Sequence, residues 1–281
     1  MFRWPKRGWP LPGQGSRSIA DLDPRLEAKV HMVTGAVSAA QNIVKCVQRC
    51  GLEVDDIVLE QLASSYSVLT DDEKELGVCV VDIGGGTIDM VVYTDGAIRH
   101  TAVIPVAGNQ ITSDIAKIFR TPISHAEEIK INYACALKDM VSMEENIEVP
   151  SVGGRPSRAM SRHTLAEVIE PRYQELFELI HEEIPASGLE EQIAAGIVLT
   201  GGTAKMEGAV EFAEEMFQMP VRVGQPLGVK GLSEYVEDAT YATAVGLLQY
   251  GKESLQVKGS SKNNNNEGLW HRIQSWFKGE F

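Results

Sequence analysis

The sequence lacks any apolar run near the ~20 residues that a membrane-crossing helix needs, so no segment is expected to span a bilayer in that way. Positive charge is also scarce: 26 Lys and Arg stand against 39 Asp and Glu, a formal net charge of −13. That balance excludes a nucleic-acid binder, whose phosphate contacts need a basic face. It also repels an anionic membrane, so any membrane contact must come from a local feature. Cysteine is sparse, with only Cys46, Cys50, Cys79 and Cys135. Cys46 and Cys50 have helical i, i+4 spacing, but no His or Cys pair completes a metal site, and all four are expected to be buried, reduced thiols. Arg3, Lys6 and Arg7 have no apolar run behind them, which excludes a signal peptide. What is present is ordinary for a soluble globular protein, 43% apolar and 23% charged. The 281 residues leave room for two compact units, or one large unit with an insertion.

Residues 1–24 are rich in Pro and Gly without periodicity, and are expected to be disordered or foreign to the fold. A strand is expected from Ala28 to Val33, a helix from Ser38 to Cys50 with Ile43, Val44 and Val47 on one face, a short strand over 56–60 and a short helix over 62–69. Val78 to Ile83 is nearly continuous apolar, as in a strand covered on both faces. Ile88 to Tyr93 follows, then an Asp95-Gly96 turn and a third strand from Ala97 to Val106. Asn109 to Phe119 reads as a helix, and Ser124 with Glu127 three residues on reads as a capping box opening another. Short strands are expected around Gly153-Gly154, then a helix from His163 to Ile184 that Pro171 should break or kink. A buried strand from Ala194 to Leu199, a helix over 206–218, a strand from Val221 to Val223 and a helix over 239–250 complete the body.

Two glycine loops carry the chemistry. Gly84-Gly85-Gly86 directly follows a buried strand, so the backbone can approach a ligand and its N–H groups can converge on phosphate oxygens. Asp82, at the strand end, is placed to hold Mg²⁺ through water or to orient an attacking water, which makes it the catalytic and metal candidate. Thr87 offers a hydroxyl to a terminal phosphate, and Asp89 fits either ligand contact or turn bonding. The second loop, Gly201-Gly202-Thr203, also follows a buried strand and precedes a helix, the setting in which backbone and helix dipole meet a nucleotide. Between the loops, Glu127 and Lys130 share a helix face and suit ribose hydroxyls and an adenine edge.

The last residues form a different kind of feature. Leu269, Trp270, Ile273, Trp276 and Phe277 fall at i, i+1, i+4, i+7 and i+8, a single apolar stripe. A helix over 268–281 reaches about 21 Å at ~1.5 Å per residue, short of the ~30 Å hydrocarbon core, so it is expected to lie in the interface. Arg272 and Lys278 suit lipid headgroups, and the polar stretch 252–267 is a linker.

The Asp82-Ile83-Gly84-Gly85-Gly86-Thr87 loop and the Gly201-Gly202 turn resemble those of the actin, sugar-kinase and chaperone ATPase superfamily. Within it, Leu62 to Leu69, Glu75 to Thr87, Val149 to Pro156 and Leu165 to Tyr173 resemble FtsA, the bacterial cell-division actin homologue. The resemblance implies an α/β, actin-like ATPase (ribonuclease H-like) fold, comprising its second half and a remnant of the first. It divides the chain into a remnant over 25–76, a nucleotide-binding core over 77–107 and 191–251, and an insertion over 108–190. It implies ATP and Mg²⁺ at Asp82, Gly84, Gly85, Gly86, Thr87, Glu127, Lys130, Gly201, Gly202 and Thr203, with at most weak ATPase activity. The partners implied are FtsZ, further FtsA subunits and the anionic inner membrane on its cytoplasmic face at the division site. The resemblance places FtsZ contact in the insertion; the stretch around Arg158, Arg172 and Glu175 is the candidate, with an acidic FtsZ tail favouring the two arginines. The family's first phosphate loop, Asp/Glu-x-Gly-Thr, has no match in residues 1–60, so the chain is expected to lack its N-terminal portion and to supply one of two jaws around ATP. An ATPase or small-molecule kinase of the same superfamily, or an inert fragment, are the alternatives.

Overall fold

The structure, a computed structural model, describes residues 30–229, 231 and 236–254. The expectations for 1–24, for 255–267 of the linker and for the helix over 268–281 lie outside the described residues, whereas 252–254, expected as linker, are the last turn of a helix over 242–254, which the polar residues Lys252, Glu253 and Ser254 do not interrupt. The chain divides into two units, Met1–Ile57 and Val58–Phe281.

In the first unit, α1 runs Val37–Arg49 and ends where Gly51 takes a φ of +76°. Its expected apolar face is not covered: Ile43 is exposed, and Val44 and Val47 are half-buried. Cys46 and Cys50 are exposed as well, contrary to the expectation of buried thiols, because they project from a helix with no buried residue. No strand forms over the described residues 30–33.

The second unit is built on a sheet. Its strands are β1 (Val78–Ile83), β2 (Ile88–Thr94), β3 (Ala97–Ile104), β6 (Ile197–Thr200) and β7 (Val221–Val223), in the order β3-β2-β1-β6-β7. β1 and β2 are antiparallel, as are β2 and β3, whereas β6 runs parallel to both β1 and β7. Every residue of β1 and β2 is buried, as their largely apolar composition favours, Asp82 and Asp89 included. On one face Cys79, Val81, Ile83, Ile88 and Met90 pack with residues of α4 (Gly108–Phe119), α6 (Arg162–Ala186) and α7 (Ala209–Phe217). On the other, Val78, Val80, Val91 and Tyr93 pack with Val68 and Leu69 at the end of α2 (Glu60–Val68) and with Ala242. Ala242 opens α8, a helix over 242–254. The capped turn α3 (Asp71–Leu76) links α2 to β1. α5 (Ile123–Tyr133) and the two-stranded β4 (Asn146–Val149) and β5 (Arg158–Ser161) lie between α4 and α6 in the chain.

Local differences from the sequence reading have local causes. Residues 56–60 form no strand, because Glu60 already begins α2. Ser124 is not a cap: α5 starts after Pro122, whose fixed φ sets the first turn. Pro171 neither ends nor divides α6, which runs 25 residues through it. Pro171 is exposed, while Leu165, Ile169, Tyr173, Leu176, Phe177, Ile180 and Ile184 bury the opposite stripe and hold the helix through the missing hydrogen bond.

Candidate functional site

Because β1 and β6 are parallel neighbours, the loops that follow them leave the sheet side by side, at the edge where α/β sheets bind ligands. Asp82 stands opposite Thr200 on one side and opposite Asp89 on the other. The loops are also fastened together. The Thr203 hydroxyl donates to the Gly84 carbonyl at 2.9 Å, and the amide of Gly108 donates to the same carbonyl at 3.1 Å. Gly108 must be glycine here, since a Cβ would lie 2.2 Å from Thr203 Oγ1. The amide of Asn109 donates to the Gly85 carbonyl at 2.7 Å, so the loop carbonyls are turned toward the start of α4. Among the described residues, the amides of Gly85, Gly86 and Thr87 meet no protein acceptor.

That arrangement fits a phosphate group. Gly85 and Gly86 are exposed, and a Cβ at Gly86 would meet nothing within 4 Å. Neither backbone conformation nor crowding by the chain itself demands glycine at Gly86, so its bare backbone leaves room for a ligand. Gly202 is likewise exposed, its nearest obstacle to a Cβ being Thr240 Oγ1 at 4.0 Å. Gly201 serves a different need: its φ is +86°, and a Cβ would lie 2.4 Å from Asp82 Oδ1.

Asp82 is buried and accepts two hydroxyls on Oδ2, from Ser64 at 2.5 Å and from Thr243 at 3.2 Å. Burial pushes its carboxyl up from the ordinary range; the two hydroxyls pull it down, and the charge of Asp89 pushes it up again. Asp89 is pushed up by burial and pulled down by a bond from the Thr87 side chain, which is where that hydroxyl is directed. Glu60 is raised by burial and by the charges of Asp89 and Asp82. Glu60 and Asp82 thus both feel the charge of Asp89, and none of the described ion pairs involves the three. A hydrated Mg²⁺ fits such a donor set, held largely through water. No three-residue metal-binding cluster occurs among the described residues.

Glu127 and Lys130 do share a face and are an ion pair at 2.9 Å. Lys130 Nζ also donates to Thr112 Oγ1 at 2.9 Å and to the Gly108 carbonyl at 3.3 Å, and Glu127 accepts from the Thr112 hydroxyl. Burial would raise the Glu127 carboxyl, but the Thr112 and Lys130 bonds hold it below the ordinary value. This pair is thereby attached to the junction of Gly84, Gly108 and Thr203. The second glycine loop departs from expectation in one respect. Thr203–Lys205 is a single 3₁₀ turn and α7 begins only at Ala209, so no long helix points its amides at Gly201 and Gly202.

The residues implied for an acidic partner lie elsewhere. Arg158 donates to the Phe119 carbonyl, and Arg172 pairs with Asp114 at 2.6 Å and with Glu175. Sequence reasoning missed Ser64, Thr243, Thr112, Gly108 and Glu60. The three serines of α2, all buried, were a visible signal; Thr243, 161 positions from Asp82, left none.

Comparison with known proteins gives a consistent answer. The family described as Cell division protein FtsA matches residues 79–246. Cell division protein FtsA of Pseudomonas aeruginosa is 62% identical over 265 residues, covering 92% of this chain and 64% of that protein. That of Escherichia coli K12 is 54% identical over 268 residues, with the same coverages of 92% and 64%. The chain thus spans about 64% of the length of these relatives. Among solved structures, MreB5 of Spiroplasma citri bound to ADP superposes with a TM-score of 0.64 at 20% identity, covering 82% of this chain and 68% of that one. A MamK double helical filament superposes with a TM-score of 0.59 at 17% identity, covering 78% and 66%. At those identities the likeness shows the fold alone, which is that of the actin-like ATPases. The chain belongs to the FtsA family of cell-division proteins.

Proposed function

We propose that this chain tethers FtsZ filaments to the cytoplasmic face of the inner membrane at the division site, with ATP and Mg²⁺ in the cleft beside its glycine loops. The observation that supports the tether is the stripe of Leu269, Trp270, Ile273, Trp276 and Phe277 at the end of a chain whose body belongs to the FtsA family. Arg272 and Lys278 would meet anionic headgroups while the tryptophans sit at the interface. At ~1.5–3 kcal/mol gross per buried large side chain, five such residues give reversible attachment once ordering costs are met. Self-association with further FtsA subunits would strengthen it through multivalency.

In the cleft, the amides of Gly85, Gly86 and Thr87, with Gly84 setting the turn, would receive phosphate oxygens, and Gly201, Gly202 and Thr203 would form the nucleoside side. Glu127 and Lys130 would meet the ribose and adenine edge. Asp82 would hold Mg²⁺ through water; the ion's contribution is to neutralise phosphate charge. The stretch around Arg158, Arg172 and Glu175 would contact FtsZ, its two arginines receiving the acidic tail, whose carboxylates would exchange with Asp114 and Glu175 at Arg172.

Sedimentation with anionic liposomes and FtsZ tests the reading. The intact chain should carry FtsZ into the pellet, and a chain lacking residues 268–281 should leave it in the supernatant. Equal recruitment by both would overturn the tether.

A further inference from the structure

The bonds at Asp82 have a consequence beyond ligand binding. Its Oδ2 is shared between two helices that are 179 positions apart at the bonding residues: Ser64 on α2 and Thr243 on α8, whose hydroxyls also lie 2.9 Å from each other. Along the rest of their contact, α2 and α8 meet at short range. Ser67 Oγ donates to the Ala242 carbonyl at 2.7 Å, the rings of Tyr66 and Tyr250 meet edge to face at 5.6 Å, and Gly246 is so close to Ala63 that a Cβ would lie 1.7 Å from its carbonyl oxygen. On α8's other side Leu247 and Leu248 are exposed. Among the described residues α8 is fastened to α2 by these contacts and to Leu227 by a bond from Gln249, and Thr243 links it to the Asp82 carboxylate. Hydrogen bonds to an ionised acceptor are among the stronger ones available.

We propose that Asp82 fastens a ligand-responsive latch: a nucleotide-bound cation at its carboxylate selects the orientation that accepts Ser64 and Thr243, and so tightens α8 on α2. The inference rests on the nucleotide reading of the cleft. The reasoning is thermodynamic linkage. Asp82 Oδ1 lies against Gly201, beside the second glycine loop, while Oδ2 of the same carboxylate holds the two hydroxyls. A ligand that binds one orientation better stabilises whatever else that orientation holds, and the helix contact strengthens the ligand in equal measure. From α8 the chain continues into the segment 255–281, so the order of this helix is where nucleotide occupancy would be felt by the C-terminal stripe.

The test is amide hydrogen exchange on the full chain, with and without saturating magnesium and ATP, with nucleotide occupancy measured by equilibrium dialysis on the same samples. In the unmodified chain, exchange over 242–254 should slow by about fivefold more than over α6, the lower end of ordinary site-to-site coupling. Thr243→Val, which keeps the shape and removes the hydroxyl, should abolish the excess, and Thr243→Ser should restore it; Ser64→Ala should reduce it as well. Bound nucleotide with no excess slowing, or an undiminished excess in Thr243→Val, would overturn the latch alone. Absence of bound nucleotide would overturn both the latch and the reading of the cleft.

Discussion

Two places around the glycine loops solve the same problem, an acidic group withdrawn from water, in opposite ways. At one, Glu127 has its cation in place: Lys130 at 2.9 Å, with Thr112 donating to the same carboxylate, and its carboxyl lies below the ordinary value. At the other, Asp82 and Asp89 accept from hydroxyls, Glu60 feels the charge of both, and all three carboxyls lie above it. The difference teaches where charge is balanced within the chain itself. Glu127 and Lys130 neutralise each other while holding the Gly108 junction, whereas none of the described ion pairs involves Asp82, Asp89 or Glu60.

Substitutions can break that comparison. The largest effect is expected from Gly201→Ala, which puts a Cβ 2.4 Å from Asp82 Oδ1 at a φ of +86°. Overpacking and backbone strain together should cost about 3 kcal/mol, read by urea denaturation. Next, Asp82→Asn and Glu127→Gln should move stability in opposite directions in metal-free buffer. Asp82→Asn relieves repulsion at a buried site and should stabilise by about 1 kcal/mol. Glu127→Gln removes an ion pair whose carboxylate is 41% exposed, and should destabilise by about 0.5 kcal/mol. Shifts of the same sign would show that the two places do not differ.

The smallest effect is a pH dependence of that second difference. A carboxyl held low in the folded state contributes stability that is present above its unfolded value of 4.5 and is lost as pH falls through the lower folded value. Denaturation curves of the unmodified chain and Glu127→Gln should therefore differ at neutral pH and converge in acid. The carboxyls of Asp82 and Asp89 carry the opposite sign, since a raised folded value means stability lost as pH rises from 3.8 through it. Asp82→Asn should accordingly gain most over the unmodified chain at neutral pH.

Much of this was legible in the chain itself. The largely apolar β1 and β2, the Asp95-Gly96 turn and the first glycine loop each leave a local trace, and the structure places them as expected; the second loop follows its strand as expected but is not followed directly by a long helix. Glu127 and Lys130 were legible as a helical pair, but not as partners of Thr112 and Gly108, because no periodicity records a bond between two helices. The capping box failed for the same reason, since Glu127 turns to Thr112 and leaves Ser124 unassisted. Thr243 was invisible, being a single hydroxyl in a helix whose pattern is set by packing against α2. Pro171 does not break α6, because its local penalty is outweighed by a buried stripe running the length of the helix.

If a cation-bound nucleotide completes the Asp82 site, thermal unfolding will register it. Magnesium and ATP together, at saturation, should raise the Tm of the unmodified chain by a few degrees. The rise should vanish in Asp82→Asn and when EDTA removes the metal. An equal rise in Asp82→Asn, or no rise in the unmodified chain, would contradict it.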